Sequence, residues 1–157
     1  MESNAKLTAK EQKIVEKEIE KLFSLLEIEG TFELTSTDDN LELLMDTKDS
    51  GMVIGYHGEI LESLQLISSL IIAKKLDRFI RVSIEVDGYK KTRTEYLQKL
   101  AQEARERAIS ENAEQVITSL KSWERRIVHL ILQDDEDVTS ESQGLGRERV
   151  LVIKPKQ

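Results

Sequence analysis

Gly55 and Gly58 stand three apart in Gly55-Tyr56-His57-Gly58, entered from the apolar Met52-Val53-Ile54 and followed at once by a helical pattern. Glycines at that spacing make a tight turn, and a helix that opens there presents unpaired N–H groups and the positive end of its dipole. The chemistry on offer is anion capture, because glycines let a phosphate come close to the backbone. Tyr56 adds a ring on which a base can stack and His57 a donor to phosphate, but no fixed positive charge stands between the glycines.

Arg125 and His129, four apart, fall together on one side of a helix that the spacing predicts from Ser122 to about Leu132. Ser122, Arg126 and Gln133 flank them, whereas Trp123, Ile127, Leu130 and Ile131 share the opposite arc and are expected to face the core. A bidentate guanidinium beside an imidazole suits the oxygens of a phosphodiester. A plain solvated helix face is the competing reading. Arg147 and Arg149 flank the last strand pattern and read equally as contacts or as ordinary surface.

The acidic run Asp134-Asp135-Glu136-Asp137, with His129 as a base, is the one constellation that invites an enzymatic reading. It lacks the alternating ligands and turn glycine of a calcium loop. With only two histidines, no cysteine, no Walker-type loop and no nucleophile elbow, the chain is expected to be non-catalytic, without metal or cofactor. The acids then form a solvated region at a helix end.

The elements that position these groups follow from periodicity. Thr8-Ala9-Lys10-Glu11 reads as a capping box, with Ile14, Val15, Ile19, Leu22, Phe23 and Leu26 recurring behind it at helical spacing and Gly30 just beyond the end. Thr31 to Thr35 and Leu41 to Met45 read as strands around a polar turn. On the helix after Gly58, Ile60, Leu61, Leu64, Ile67, Leu70, Ile71 and Leu76 form a broad apolar stripe. Phe79 to Val86 alternates strictly, which implies an antiparallel sheet with one wet face. Asp87-Gly88 marks a seam. Beyond it come a charged helix from Tyr89 to about Ser110 (Tyr96, Leu97, Leu100, Ala104, Ala108 and Ile109 inward), a strand within Glu114 to Leu120, the Ser122 helix, the polar stretch Gln133 to Gly146, and the apolar Val150 to Ile153 closing a hairpin. The halves read α-β-β-short α-α-β and α-β-α-β-β, an α+β fold.

At 157 residues and 34% charged, the chain suffices for one good core or two small ones. No window approaches the roughly 18 apolar residues of a membrane span, and the N-terminus lacks a secretory layout. The absence of cysteine excludes disulfides and thiolate chemistry and suits a reducing cytoplasm. The net charge of −7 is unevenly spread: residues 1–73 carry 6 basic and 15 acidic side chains, residues 74–107 carry 10 and 6, and residues 108–157 carry 7 and 9. A basic middle in an acidic chain is compatible with nucleic-acid binding, since phosphates respond to a local patch.

The run Trp123-Glu124-Arg125-Arg126-Ile127-Val128-His129-Leu130-Ile131-Leu132-Gln133-Asp134-Asp135, with Thr139-Ser140-Glu141-Ser142-Gln143-Gly144 and Arg149-Val150-Leu151-Val152-Ile153-Lys154-Pro155, closely resembles the C-terminal domain of the bacterial Jag family. That domain is named for an Arg and a His separated by three residues, the R-3-H domain, and a KH domain precedes it. The resemblance implies a KH-like domain over residues 1–87 and a small R-3-H domain with a mixed or antiparallel sheet over residues 88–157. It maps Gly55 and Gly58 onto the KH loop glycines and Arg125 and His129 onto the signature pair. Tyr56 and His57 depart from the basic residues usual between those glycines, and the separate N-terminal Jag domain is not in this sequence. The expectation is a cytoplasmic, non-membrane, RNA- or single-stranded-nucleic-acid-binding protein acting as a post-transcriptional regulator or RNA chaperone. The alternative is an adaptor whose KH half pairs with a small KH-domain protein or forms a homodimer.

Overall fold

A capping box opens the first helix: the Thr8 hydroxyl accepts from the Glu11 amide at 3.3 Å, and the Glu11 carboxylate accepts from the Thr8 amide at 2.8 Å. The computed structural model describes residues 7–37 and 40–156. Helix α1 (Ala9–Leu25) buries Val15, Ile19 and Phe23, one stripe at helical spacing. Its end is set at Glu27, which turns into the left-handed region (φ 55°), so Gly30 is free to begin the next strand.

Strands β1 (Gly30–Ser36) and β2 (Asn40–Thr47) pair antiparallel, Gly30 opposite Thr47 and Ser36 opposite Leu41. The short α2 (Ser50–Ile54), a 3-10 turn over Tyr56–Gly58 and α3 (Glu59–Leu76) then carry the chain back to β3 (Arg81–Val86). The sheet order is β1-β2-β3, and β3 runs parallel to β2. The alternation in this strand was expected to mean antiparallel pairing. It reports only that one face is covered; the helical crossover between β2 and β3 is what makes them parallel. Leu41, Leu43, Met45, Val82, Ile84 and Val86 form the covered face, over which α1 and α3 contribute Val15, Ile19, Leu61, Leu64 and Ile72. Each such side chain, fully buried, stabilises the fold by about 1.5–3 kcal/mol before entropy is counted.

Only a portion of the apolar stripe expected on α3 faces this core. Leu61 and Leu64 do, joined by Ser68, Ser69 and Ile72, while Ile60, Ile67 and Leu70 lie exposed. Polar side chains on the inner side of the helix satisfy strand amides. Ser69 Oγ accepts from the Val82 amide and Gln65 Oε1 from the Ile84 amide, both at 2.9 Å. They close the outer edge of β3.

The chain divides into two compact units, one ending at Tyr89 and the other beginning at Lys90. The second contains nearly all of α4 (Tyr89–Glu111), then β4 (Gln115–Ile117), α5 (Ser122–Leu132), β5 (Val138–Gln143), a 3-10 turn over Gly146–Glu148 and β6 (Val150–Pro155). Its sheet is antiparallel throughout, in the order β4-β6-β5. β4 is shorter than the predicted strand because Ser119 takes a left-handed conformation (φ 61°). Leu97, Ala101, Ala104 and Ala108 of α4 pack with Val128, Leu132, Val138, Leu151 and Ile153. Tyr96 and Ile109, expected inward, are exposed. Among the described residues no helix is long and apolar enough to cross a membrane.

Candidate nucleic-acid interface

The Gly55–Gly58 turn owes its shape to glycine at both ends. Gly55 has φ 68° and ψ −170°, a region that essentially only glycine enters, and a Cβ there would meet Ile60 Cγ1 at 2.5 Å. Gly58 is left-handed (φ 78°, ψ 15°), and a Cβ would meet the Tyr89 hydroxyl at 2.9 Å. Between them His57 is also left-handed (φ 48°), which lays its ring against Tyr56 with centroids 4.0 Å apart and planes 15° from parallel. Tyr56 is 69% exposed, so one face of the stacked pair is open to solvent. The α3 N-terminus has no side-chain cap, but its first turn carries Glu59 and Glu62. Their carboxylates offset the helix dipole and weaken the turn as an anion site.

On α5 the exposed stripe expected of Arg125 and His129 is corrected. Arg125 is 8% exposed and turned inward, where Nη1 donates to the Leu120 carbonyl at 2.6 Å and Nη2 to Ser122 Oγ at 3.1 Å. Glu124 beside it is fully buried, accepting from Arg93 Nε at 2.6 Å and from the Lys121 amide at 2.8 Å. These polar groups occupy the side assigned by periodicity to solvent, and Trp123, Leu130 and Ile131 are rotated outward to 36%, 56% and 40% exposure. A buried ion pair reverses the helix face that hydrophobicity alone would choose. The only hint in the sequence is that Arg93 and Glu124 need each other, and no local spacing reveals that.

His129 and Arg126 are exposed. His129 Nδ1 lies 2.7 Å from Ser140 Oγ on β5, which orients the ring. Trp123, Arg126 and Leu130 sit at i, i+3 and i+7, so a ring, a guanidinium and an apolar side chain line one outer stripe with His129 next to it. Trp123 and Leu130 are the members of this stripe that sequence reasoning had placed in the core. Arg147 and Arg149 are exposed in and just after the turn that joins β5 to β6.

Half of the ten basic residues in the middle of the chain form ion pairs within the fold. Lys75 pairs with Glu18 at 2.9 Å, Arg78 with Glu11 at 3.2 Å, Arg93 with Glu124, Arg107 with Glu103 at 3.9 Å, and Arg105 with both Asp135 and Asp137 at 2.5 Å. The hydrogen bond from Arg105, then the Asp137 and Val138 amides, hold the Asp135 carboxyl below its ordinary range. The acidic run thus anchors α4 to the end of α5. Among the described residues no group of three or more metal-ligating side chains comes together.

Comparison with known proteins finds two families in succession along the chain. Residues 12–86 match the KhpA/KhpB KH domain family and residues 95–155 the R-3-H domain family. The chain is 31% identical over 128 residues to the RNA-binding protein KhpB of Streptococcus pneumoniae serotype 2 (strain D39 / NCTC 7466), a match covering 82% of this chain and 39% of that protein. It is 28% identical over 130 residues to the RNA-binding protein KhpB of Clostridium symbiosum, covering 83% and 59%. A similar protein of the same name in Lactiplantibacillus plantarum is 27% identical over 111 residues, covering 71% and 34%. The chain spans about two fifths of the length of the pneumococcal relative.

Proposed function

The chain belongs to the family that joins a KhpA/KhpB-type KH domain to an R-3-H domain, and from that premise we propose that it is a non-catalytic, cytoplasmic RNA-binding protein. It acts as a post-transcriptional regulator or RNA chaperone, and it grips single-stranded RNA at two separate places. The observation that carries this reading is the exposed Tyr56 ring, stacked on His57 in a turn shaped by glycines at 55 and 58. Unpaired bases stack on such rings regardless of sequence. With Glu59 and Glu62 at the adjoining helix end, the loop holds a base more strongly than a phosphate.

The α5 stripe supplies the phosphate contact. Arg126 offers a planar fork to a phosphodiester, His129 donates from the nitrogen not engaged by Ser140, and Trp123 stacks a second base. Arg125 serves this face by holding the turn at Leu120 in place. Arg147 and Arg149 add long-range attraction. Each site alone is modest, and tethering them multiplies their effect. Anisotropy of a labelled single-stranded RNA tests the reading. Tyr56→Ala and Trp123→Ala should each lose about 1–3 kcal/mol of affinity, and unchanged affinity in both variants overturns it.

A second role is favoured by a specific feature of the first unit. Ile60, Ile67 and Leu70 recur along α3 at 45%, 43% and 56% exposure. An apolar stripe of this kind on a KH half fits the matching face of another KH domain, from a small KH-domain protein or a second copy, as a self-complementary contact. Light scattering with Ile67→Glu tests it: association should disappear in the variant, and a wild-type chain that stays monomeric alone and with such a partner rules it out.

A further inference from the structure

The two edges of the first sheet are treated differently. At β3 the outward amides of Val82 and Ile84 are taken by Ser69 and Gln65, so no further strand can add there. At β1 the hydrogen bond from the Thr37 amide to the Asn40 carbonyl sets the pairing parity. By that parity, Thr31, Glu33 and Thr35 turn their backbone groups to β2, and Gly30, Phe32, Leu34 and Ser36 turn theirs outward. An edge strand with free donors and acceptors is a template for another strand.

A groove runs between that edge and α1. It opens into a wide hollow of about 880 Å³ and a narrower hollow of about 300 Å³. The floor is apolar, with Phe23 and Phe32 meeting edge to face at 5.7 Å. The walls are acidic: Glu16, Glu20, Glu27, Glu29 and Asp49 line it, and among the described residues no lysine or arginine does.

We propose that the open β1 edge and its acidic groove dock an extended basic segment of a partner protein, which adds to the sheet as a fourth strand. Backbone pairing to Gly30, Phe32, Leu34 and Ser36 supplies the register. Alternate side chains of the segment then fall over Phe32 and Leu34, and its lysines or arginines reach the carboxylates. The charge argues against the other occupants. Nucleic acid would bring phosphates against the carboxylates, and a second copy pairing edge to edge would bring carboxylate against carboxylate. This surface shares no residue with the RNA contacts proposed above, so the two can be tested apart.

The probe is a short synthetic peptide alternating lysine and valine, titrated into the isotopically labelled full chain and followed by amide chemical shifts. Shifts should concentrate at Gly30, Phe32, Leu34 and Ser36. The exposed charge reversals Glu20→Lys with Glu29→Lys should weaken binding by about tenfold or more, and so should N-methylation of alternate peptide residues, which keeps charge and removes backbone donors. Equal binding by the N-methylated peptide overturns strand addition. Shifts centred elsewhere, displacement of the peptide by single-stranded RNA with shifts at the same amides, or self-association through β1 that excludes the peptide each overturn the assignment of site or occupant.

Discussion

The Arg125 guanidinium donates to the Leu120 carbonyl at 2.6 Å, inside the protein, while His129 four residues on holds Ser140 at the surface. Two residues of one signature thus do different jobs. Arg125 fixes the turn that leads into α5, and His129 remains on the solvent face.

Arg125→Ala leaves the Leu120 carbonyl without its charged donor. A hydrogen bond to a charged group contributes about 1.5–3 kcal/mol, so the second unit should unfold at visibly lower denaturant concentration. Arg126→Ala, on the exposed side, should leave the midpoint where it is. Chemical denaturation of both variants checks this; equal midpoints contradict the assignment of Arg125 to the interior.

The two loop glycines are not equivalent. Gly55→Ala forces a side chain into a conformation costing about 1–3 kcal/mol and to within 2.5 Å of Ile60, whereas Gly58 has a left-handed backbone that asparagine adopts and a Cβ there meets the Tyr89 side chain less closely, at 2.9 Å. Thermal melts should therefore rank Gly58→Asn above Gly55→Ala in stability. The reverse order means that the turn is shaped otherwise.

Much of the fold was legible because local rules and tertiary structure agree in it. The Thr8 capping box, the hairpin, the helix after Gly58 and the order of both halves follow from caps, glycines and periods. Two of the failures share one cause. On α5 the buried Arg93–Glu124 pair, and on α3 the Ser69 and Gln65 side chains that close the β3 edge, place polar groups inside and turn apolar ones out. Both depend on partners distant in sequence, which periodicity does not register. The parallel pairing of β3 was missed for a different reason: alternation reports a covered face and not a direction, and the direction lay in the helical crossover before the strand. The loop residues Tyr56 and His57 were readable as a stacking and donating pair, but their mutual stacking depends on the left-handed His57 backbone.

Acid should expose the role of Arg105. Its hydrogen bond keeps the Asp135 carboxyl below the ordinary value of 3.8, so the folded value lies under the unfolded one. The resulting stability is fully present above the unfolded value and is lost as pH falls through the folded one. The stability gap between wild type and Asp135→Asn should be constant near neutrality and narrow below that ordinary value. Denaturation across pH checks it, and a gap that persists into strong acid contradicts it.

The central claim is that single-stranded RNA is held by phosphate contact at the α5 face together with stacking at the Gly55–Gly58 loop. The most direct measurement is the slope of log affinity against log salt for wild type and Arg126→Ala. Each phosphate contact to a single strand contributes about 0.7 to that slope, so affinity should fall with salt in the wild type and the variant should be shallower by about that amount. A wild type whose RNA affinity ignores salt, or a variant with an unchanged slope, contradicts it.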